Sequence, residues 1–404
     1  MSDRVIAWAK VWGVAATQGA ITLSWVVYNL YFPVLLVQFG FSTKFAVTVL
    51  VAENALEAII EPIFGAISDK QQEKIGSKIP LISIGIGLSS FLFILLPAIA
   101  IFTTPNQVWR WVLPGLAVAW AFAMAMFRAP TMALLEETAP LDKLPQAAGP
   151  LTMVGEIIGT FSFIAHDLIL SIGAGFAFAI GSITLLATGA GLRWLNPPSM
   201  PSMPQFEKEE AAEEIVEEEP EEGKSNYLSF TLAGLTGIGV AWSLSFLTPA
   251  LQHSFAFRWG QANIDLAMTL FDIGLGLAAL IVGAVAARWG NLWGMLFGCI
   301  LTILSSNLLS LEIFPDATLA LTLTIILGFS FVLNGAIPFV LELVNESQSG
   351  LGLGIYFGGL SAGAAFFEVI FENWLNFPVS FDETGATICL LLVMNLVIVS
   401  LNLE

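Results

Sequence analysis

Residues 57–69 read Glu57-Ala-Ile-Ile-Glu61-Pro62-Ile-Phe-Gly65-Ala-Ile-Ser-Asp69, and the chain runs on through Gly76, Lys78 and Pro80. The stretch places two carboxylates four residues apart, on one face of an otherwise apolar helix. That helix then breaks into a short basic turn. In lipid an ionised carboxylate at mid-helix costs about 2.5–3.5 kcal/mol on insertion scales, so such a group faces a cavity and works there. Two at this spacing repel unless a proton or a metal cation lies between them. The pattern predicts a cation site at Glu57 and Glu61 inside a membrane transporter, with Asn54 as a neutral ligand beside them.

The rest of the chain agrees with a membrane setting. Of its 404 residues 56% are hydrophobic and only 11% charged, against roughly 25% charged in soluble proteins, and the mean hydropathy is +0.83. The 31 Phe and 12 Trp suit a lipid-facing surface with interfacial aromatic belts. The net charge of −18 is local, because ten glutamates fall between Glu207 and Glu222. Cys299 and Cys389 lie apart in apolar runs and suggest neither a disulfide framework nor a metal site. The first apolar run follows the N-terminus without a small-residue cleavage pattern, and reads as a first membrane helix rather than a signal peptide.

About 20 apolar residues span a bilayer core. Twelve runs qualify, at 11–39, 44–67, 79–102, 109–137, 147–171, 174–196, 227–256, 262–287, 291–311, 317–341, 349–376 and 384–403. The expected organisation is an N-terminal six-helix bundle (1–196), a Pro- and Glu-rich linker (197–226) that cannot bury a core, and a C-terminal six-helix bundle (227–404). With the N-terminus inside, ten Lys and Arg residues fall on the cytoplasmic side and three (Lys44, Arg110, Arg258) outside, while Arg128 lies within a helix. Both termini and the linker are therefore expected in the cytoplasm. The halves share weak similarity: Gly65-Ala-Ile-Ser-Asp69 has a counterpart in Gly283-Ala-Val-Ala-Ala-Arg288-Trp-Gly290, Asn54 roughly matches Asp272, and Pro130 matches Pro338. The fold class expected is all-α integral membrane, with the substrate path between the halves near the midplane.

The turn Gly65-x-x-x-Asp69…Gly76-x-Lys78 resembles the signature loop of the major facilitator superfamily. Its physics is readable without the family. Gly65 permits close helix approach, Asp69 can cap a neighbouring helix N-terminus, and the lysines hold the turn at the cytoplasmic face. The preceding Glu57-x-x-x-Glu61-Pro62-Ile-Phe-Gly65, with Pro80 downstream, resembles the glycoside–pentoside–hexuronide:cation symporters. Melibiose permeases there carry Asp-x-x-x-Asp-Pro-Ile-Met-Gly, and both carboxylates ligate the coupling cation. The resemblance implies that Glu57 and Glu61 hold Na⁺ or H⁺. Arg128-Ala-Pro130-Thr-Met132-Ala-Leu-Leu-Glu136-Glu137 is similar to the family's helix-four segment and to a stretch of the sucrose transporters. Arg128 and Met132 stand where sugar-binding members carry Asp and an aromatic residue, Gln18 stands near the family's helix-one Asp, and the Arg expected near Thr152-Met153 is missing. A sugar substrate is accordingly not expected.

Arg128 reads in two ways, as captor of an anionic group on the substrate or as internal ion-pair partner of Glu57, Glu61 or Glu156. Gln18, Met132, Glu156 and Asp272 join Arg128 as candidate substrate-binding residues, and Gly65, Asp69, Gly76 and Lys78 form the candidate gating loop. Asn29 reads as a helix-packing polar residue and Asp265 as interfacial. Glu368 with Glu372 reads as a snorkelling pair, and His166-Asp167 as an outer-surface pair. Gly350, Gly352, Gly354, Gly358 and Gly359 give helix eleven a smooth face. No P-loop supports ATP drive, no catalytic constellation suggests an enzyme, and no basic patch suits nucleic acid. The expected function is Na⁺- or H⁺-coupled symport of a small organic solute by alternating access. It would be carried out by a monomer without cofactor, in a plasma or inner membrane. A non-transporting scaffold or assembly factor of the pigment-delivery type and a proton-driven efflux pump are the alternatives.

Overall fold

The computed structural model describes residues 5–103, 107–164, 166–197, 226–311, 315–372 and 380–401. Most of the expected linker (198–225) lies outside them, as do the side chains of His166, Asp167 and Glu372. The N-terminal half contains α1 (Trp8–Gln38), α2 (Thr43–Ile75), α3 (Ile79–Phe102), α4 (Gln107–Ala133), α5 (Leu144–Gly159), the short α6 (Phe161–Ile164) and α7 (His166–Ile172), and α8 (Ala174–Leu195). The C-terminal half contains α9 (Asn226–Trp259), α10 (Ile264–Trp289), α11 (Asn291–Ser310), α12 (Thr318–Leu343), α13 (Ser349–Phe367) and α14 (Ser380–Leu401).

Among the described residues, eleven segments are long and apolar enough to cross a membrane. Helix α2 adds a twelfth crossing by length, since its 33 residues extend about 50 Å at 1.5 Å each. Its carboxylates and basic end keep it off a hydropathy count. Leu, Ile and Phe side chains such as Ile59, Ile84, Phe91, Phe176, Ile183, Leu277, Ile281 and Leu304 are exposed on the bundle's outside, where lipid tails would cover them. Exposed Trp8, Trp12, Trp194, Trp289 and Trp293 gather at the bundle end that carries the α2–α3 turn, as interfacial anchors do.

Three boundaries differ from the sequence expectation. Helix α2 runs to Ile75 rather than 67, because Asp69–Ile75 holds no Gly or Pro. Gly76 then stops it in the left-handed region (φ 72°), where its N–H still reaches the Gln72 carbonyl at 2.7 Å. A glycine with positive φ also ends α10, at Gly290 (φ 92°), there with an extended ψ of 138°, in the counterpart turn of the other half. The fifth run begins at Leu144, with Pro145 in its first turn, and breaks at Thr160 into α6 and α7. Helix α13 ends at Phe367 and continues as one π-turn over Glu368–Glu372.

Packing defines two seams between the halves: α2 lies along α13, and α5 along α10. Both depend on glycine. A Cβ on Gly65 would overlap the Gly350 carbonyl, one on Gly354 would sit 2.5 Å from the Glu61 carbonyl, and one on Gly283 2.5 Å from the Pro145 carbonyl. Close backbone approach of this kind replaces hydrophobic driving force inside a membrane. Pro62 cannot donate to Ala58, and Gly358 passes over that freed carbonyl so closely that a Cβ would lie 2.8 Å from it.

Candidate functional site

Helix α2 projects three carboxylates, not two, along one face. Glu53, Glu57 and Glu61 are each at most 2% exposed. Each has a different partner. Tyr28 on α1 donates its hydroxyl to Glu53 Oε1 at 2.7 Å. Ser361 on α13 donates to Glu57 Oε2 at 3.0 Å, across the seam between the halves. Arg128 on α4 bridges the lower two, with Nη1 3.7 Å from Glu57 Oε2 and Nε 3.0 Å from Glu61 Oε1. Its guanidinium also lies over the Phe357 ring at 4.6 Å. Three carboxylates against one guanidinium leave an excess of two negative charges if all are ionised. Glu53 Oε2, Glu57 Oε1 and Glu61 Oε2 have no hydrogen-bond partner. Buried groups of this kind take up a proton or a cation.

Glu53, Glu57 and Arg128 form part of the wall of a cavity of about 1010 Å³ between the halves. Helices α1, α2, α9 and α13 build the remaining wall, with Gln18, Trp25, Asn29, Asn54, Gln252, Phe367 and Glu368 facing in. The cavity occupies the part of the bundle nearest the α1–α2 connection. Behind Trp25 stands a fixed aromatic stack, with Trp25 at 4.8 Å from Trp120, Tyr28 at 4.3 Å from Trp120, and Phe93 stacked on Trp120 at 5.0 Å.

The opposite end is shut. Asp69 accepts hydrogen bonds from Gly350 N at 2.9 Å and Leu351 N at 2.7 Å, which caps the N-terminus of α13 from the other half. Lys78 pairs with Asp69 at 2.8 Å, donates to Ser349 Oγ at 2.8 Å, and is 2% exposed. Along the second seam Asn334 donates to the Pro145 carbonyl at 2.8 Å and accepts from Thr152 at 3.2 Å.

The expected site residues therefore separate into groups. Glu57, Glu61 and Arg128 come together, and Arg128 takes the ion-pair role of the two left open by the sequence. Gln18 and Asn54 line the cavity, but the third member of the carboxylate column is Glu53 rather than Asn54. Met132 is fully buried in the hydrophobic core and does not line the cavity. Arg128, one helical turn earlier on α4, reaches α2 and the cavity wall, whereas Met132 falls beyond the cavity's end. Glu156 and Asp272 also lie off the cavity wall. They face each other electrostatically across the α5–α10 seam, where a Cβ on Gly276 would be 3.3 Å from Glu156 Cβ. Gly65, Asp69 and Lys78 form the shut end, and Gly76 turns the chain into it. Sequence reading passed over Glu53, although Glu53-x-x-x-Glu57-x-x-x-Glu61 continues the same spacing by one turn. Tyr28, Ser349, Phe357 and Ser361 carry no motif and come to the site only through packing. Among the described residues, no group of three or more His, Cys, Asp or Glu side chains is arranged to hold a metal ion.

Two closed seams, one cavity between halves and a membrane-length helical bundle define a multi-pass membrane protein. No protein-family model matches the sequence, and no curated protein matches it. Among solved structures, the crystal structure of the human organic anion transporter MFSD10 (TETRAN) is similar over 98% of this chain and 98% of its own, with a TM-score of 0.62 and 13% identity. At that identity the likeness establishes the fold: the chain has the major facilitator fold.

Proposed function

We propose that the protein is a proton-coupled secondary transporter that moves a small organic solute across its membrane by alternating access. The observation that carries this reading is the 1010 Å³ cavity walled by Glu53, Glu57 and Arg128, held at one end by ties between the halves. Rocking the halves about that site would expose it to each side in turn. Proton uptake on the Glu57–Glu61 pair would remove repulsion and bias one conformation, and only such differential affinity couples ion to solute. Arg128 favours a proton over Na⁺, because its guanidinium already occupies the bridge between Glu57 and Glu61 that the metal would take. Symport is the form of coupling that the α2 motif supports. By the placement of Lys and Arg, the cavity would face outward and the Asp69–Lys78 end the cytoplasm.

The test is thermal stability of the purified chain over a pH series at fixed Na⁺ and a Na⁺ series at fixed pH, beside Glu57→Gln and Glu61→Gln. A ligand bound only by the folded state at a hundred times its dissociation constant adds about 2.7 kcal/mol. The expected result is a pH-dependent shift diminished in both variants, with no response to Na⁺. A Na⁺ response would replace the proton as coupling ion. No response of either kind would overturn coupled transport and favour a non-transporting scaffold.

A further inference from the structure

We propose that Glu53 and Trp25 form the recognition point for a positively charged organic solute, one bearing an ammonium or similar cationic group. This rests on the transporter reading above and names its cargo class. The cavity wall carries three carboxylates, Glu53, Glu57 and Glu368, and one guanidinium, Arg128. Arg128 is committed: it bridges Glu57 and Glu61 and lies on Phe357. An anionic solute could recruit it only by leaving two buried carboxylates without a counter-charge, which is strongly unfavourable for a broken buried pair.

Glu53 is different. Among the described residues no Lys, Arg or His pairs with it. Tyr28 holds Oε1 at 2.7 Å, while Oε2 is buried, without a partner, on a side chain 1% exposed in the cavity wall. A cation arriving there offsets the cost of the buried charge. Trp25 lies one helical turn from Tyr28 and also lines the cavity. Its ring is fixed edge-on by Tyr28 at 5.7 Å and by Trp120 at 4.8 Å. A carboxylate and an indole that both contact Tyr28 and line one cavity supply the two attractions an ammonium group responds to, charge and an aromatic ring. The remaining buried polar atoms point the same way. Those lining the cavity without a hydrogen bond are the acceptors Gln18 Oε1, Glu53 Oε2 and Glu57 Oε1. Apart from Arg128 Nε, which faces Glu61, one donor stands against them, Trp25 Nε1. A polyhydroxylated neutral solute needs donors and acceptors in more even number; a cation needs acceptors.

The experiment uses the full-length protein in detergent at constant ionic strength and pH. Thermal shift is titrated with phenyltrimethylammonium and with benzenesulfonate, a permanent cation and a permanent anion on the same ring. The cation is expected to stabilise the wild type with at least tenfold higher apparent affinity than the anion. Glu53→Gln should lower that affinity at least tenfold, and Trp25→Leu should lower it severalfold. Equal or greater stabilisation by benzenesulfonate, or undiminished cation affinity in Glu53→Gln, overturns the proposal. Should Glu53→Gln not fold, the wild-type cation–anion comparison and Trp25→Leu decide alone. A wild type that keeps its pH response but shows no cation preference overturns the cargo class and leaves the transporter reading standing. Loss of both overturns both.

Discussion

Asp69→Asn should open the shut end of the bundle. Asp69 makes three contacts, to Lys78 at 2.8 Å and to the N–H groups of Gly350 at 2.9 Å and Leu351 at 2.7 Å. Asn keeps one acceptor for the start of α13, but it strands Lys78, which is 2% exposed. Removing one partner of a buried ion pair costs about 3–5 kcal/mol. Taking the lower end, because one cap bond survives, the closed arrangement loses about 3 kcal/mol, on the order of a 10²-fold shift toward opening. Ser68 is the reporter position, because it is fully buried in the α2–α13 seam and its hydroxyl lies against Gly350. Ser68→Cys, in a background where the buried Cys299 and Cys389 are changed to Ala, should react slowly with a hydrophilic maleimide. Adding Asp69→Asn should raise that rate about a hundredfold, and adding Lys78→Met as well should return part of it, since the stranded lysine is then gone while Glu136 loses the attraction of Lys78. An unchanged labelling rate in Asp69→Asn would show that this cluster does not hold the halves together.

Further outcomes follow from the same geometry. Arg128→Leu leaves Glu57 and Glu61 without a counter-charge and should cost about 3–5 kcal/mol, visible as a lowered melting temperature that Glu61→Gln partly restores. Asn334→Leu removes the tie to the Pro145 carbonyl and takes the acceptor from the Thr152 hydroxyl, at about 1 kcal/mol for each lost hydrogen bond, and should raise Ser68→Cys labelling from the second seam. Gly76→Ala forces a side chain into φ 72° and should cost about 1 kcal/mol, with Gly76→Asn costing less; equal melting temperatures for Gly76→Ala and wild type would refute the helix-stop role.

Much of this architecture was legible from period and composition. Apolar runs of membrane length marked twelve crossings, and the Glu57–Glu61 spacing marked the buried face of the second. Gly65, Asp69 and Lys78 identified the end where the halves meet, because a glycine and opposite charges at a turn have few other uses in lipid. What escaped depends on partners distant in the chain. Arg128 could have faced a solute or a carboxylate, and only the placement of α4 against α2 selects Glu57 and Glu61. Met132 looked like a cavity residue by analogy of position, yet one turn beyond Arg128 it is already in the core. Glu53 was readable by spacing, but a motif of two carboxylates drew attention away from the third. The break at Thr160 follows Gly155, Glu156 and Gly159 in a run that is apolar enough overall to read as one crossing.

The seam between α2 and α13 has a consequence for speed. Its contacts at Gly65, Gly354 and Gly358 are backbone against backbone, so few side chains must be frozen when the surfaces meet. Closing a seam of long side chains forfeits up to about 2 kcal/mol of rotamer freedom for each; glycine forfeits none. Parting and rejoining the halves would therefore carry little entropic toll on side chains, and in the proposed transport cycle the barrier would be left to the few charged ties at the end of the seam.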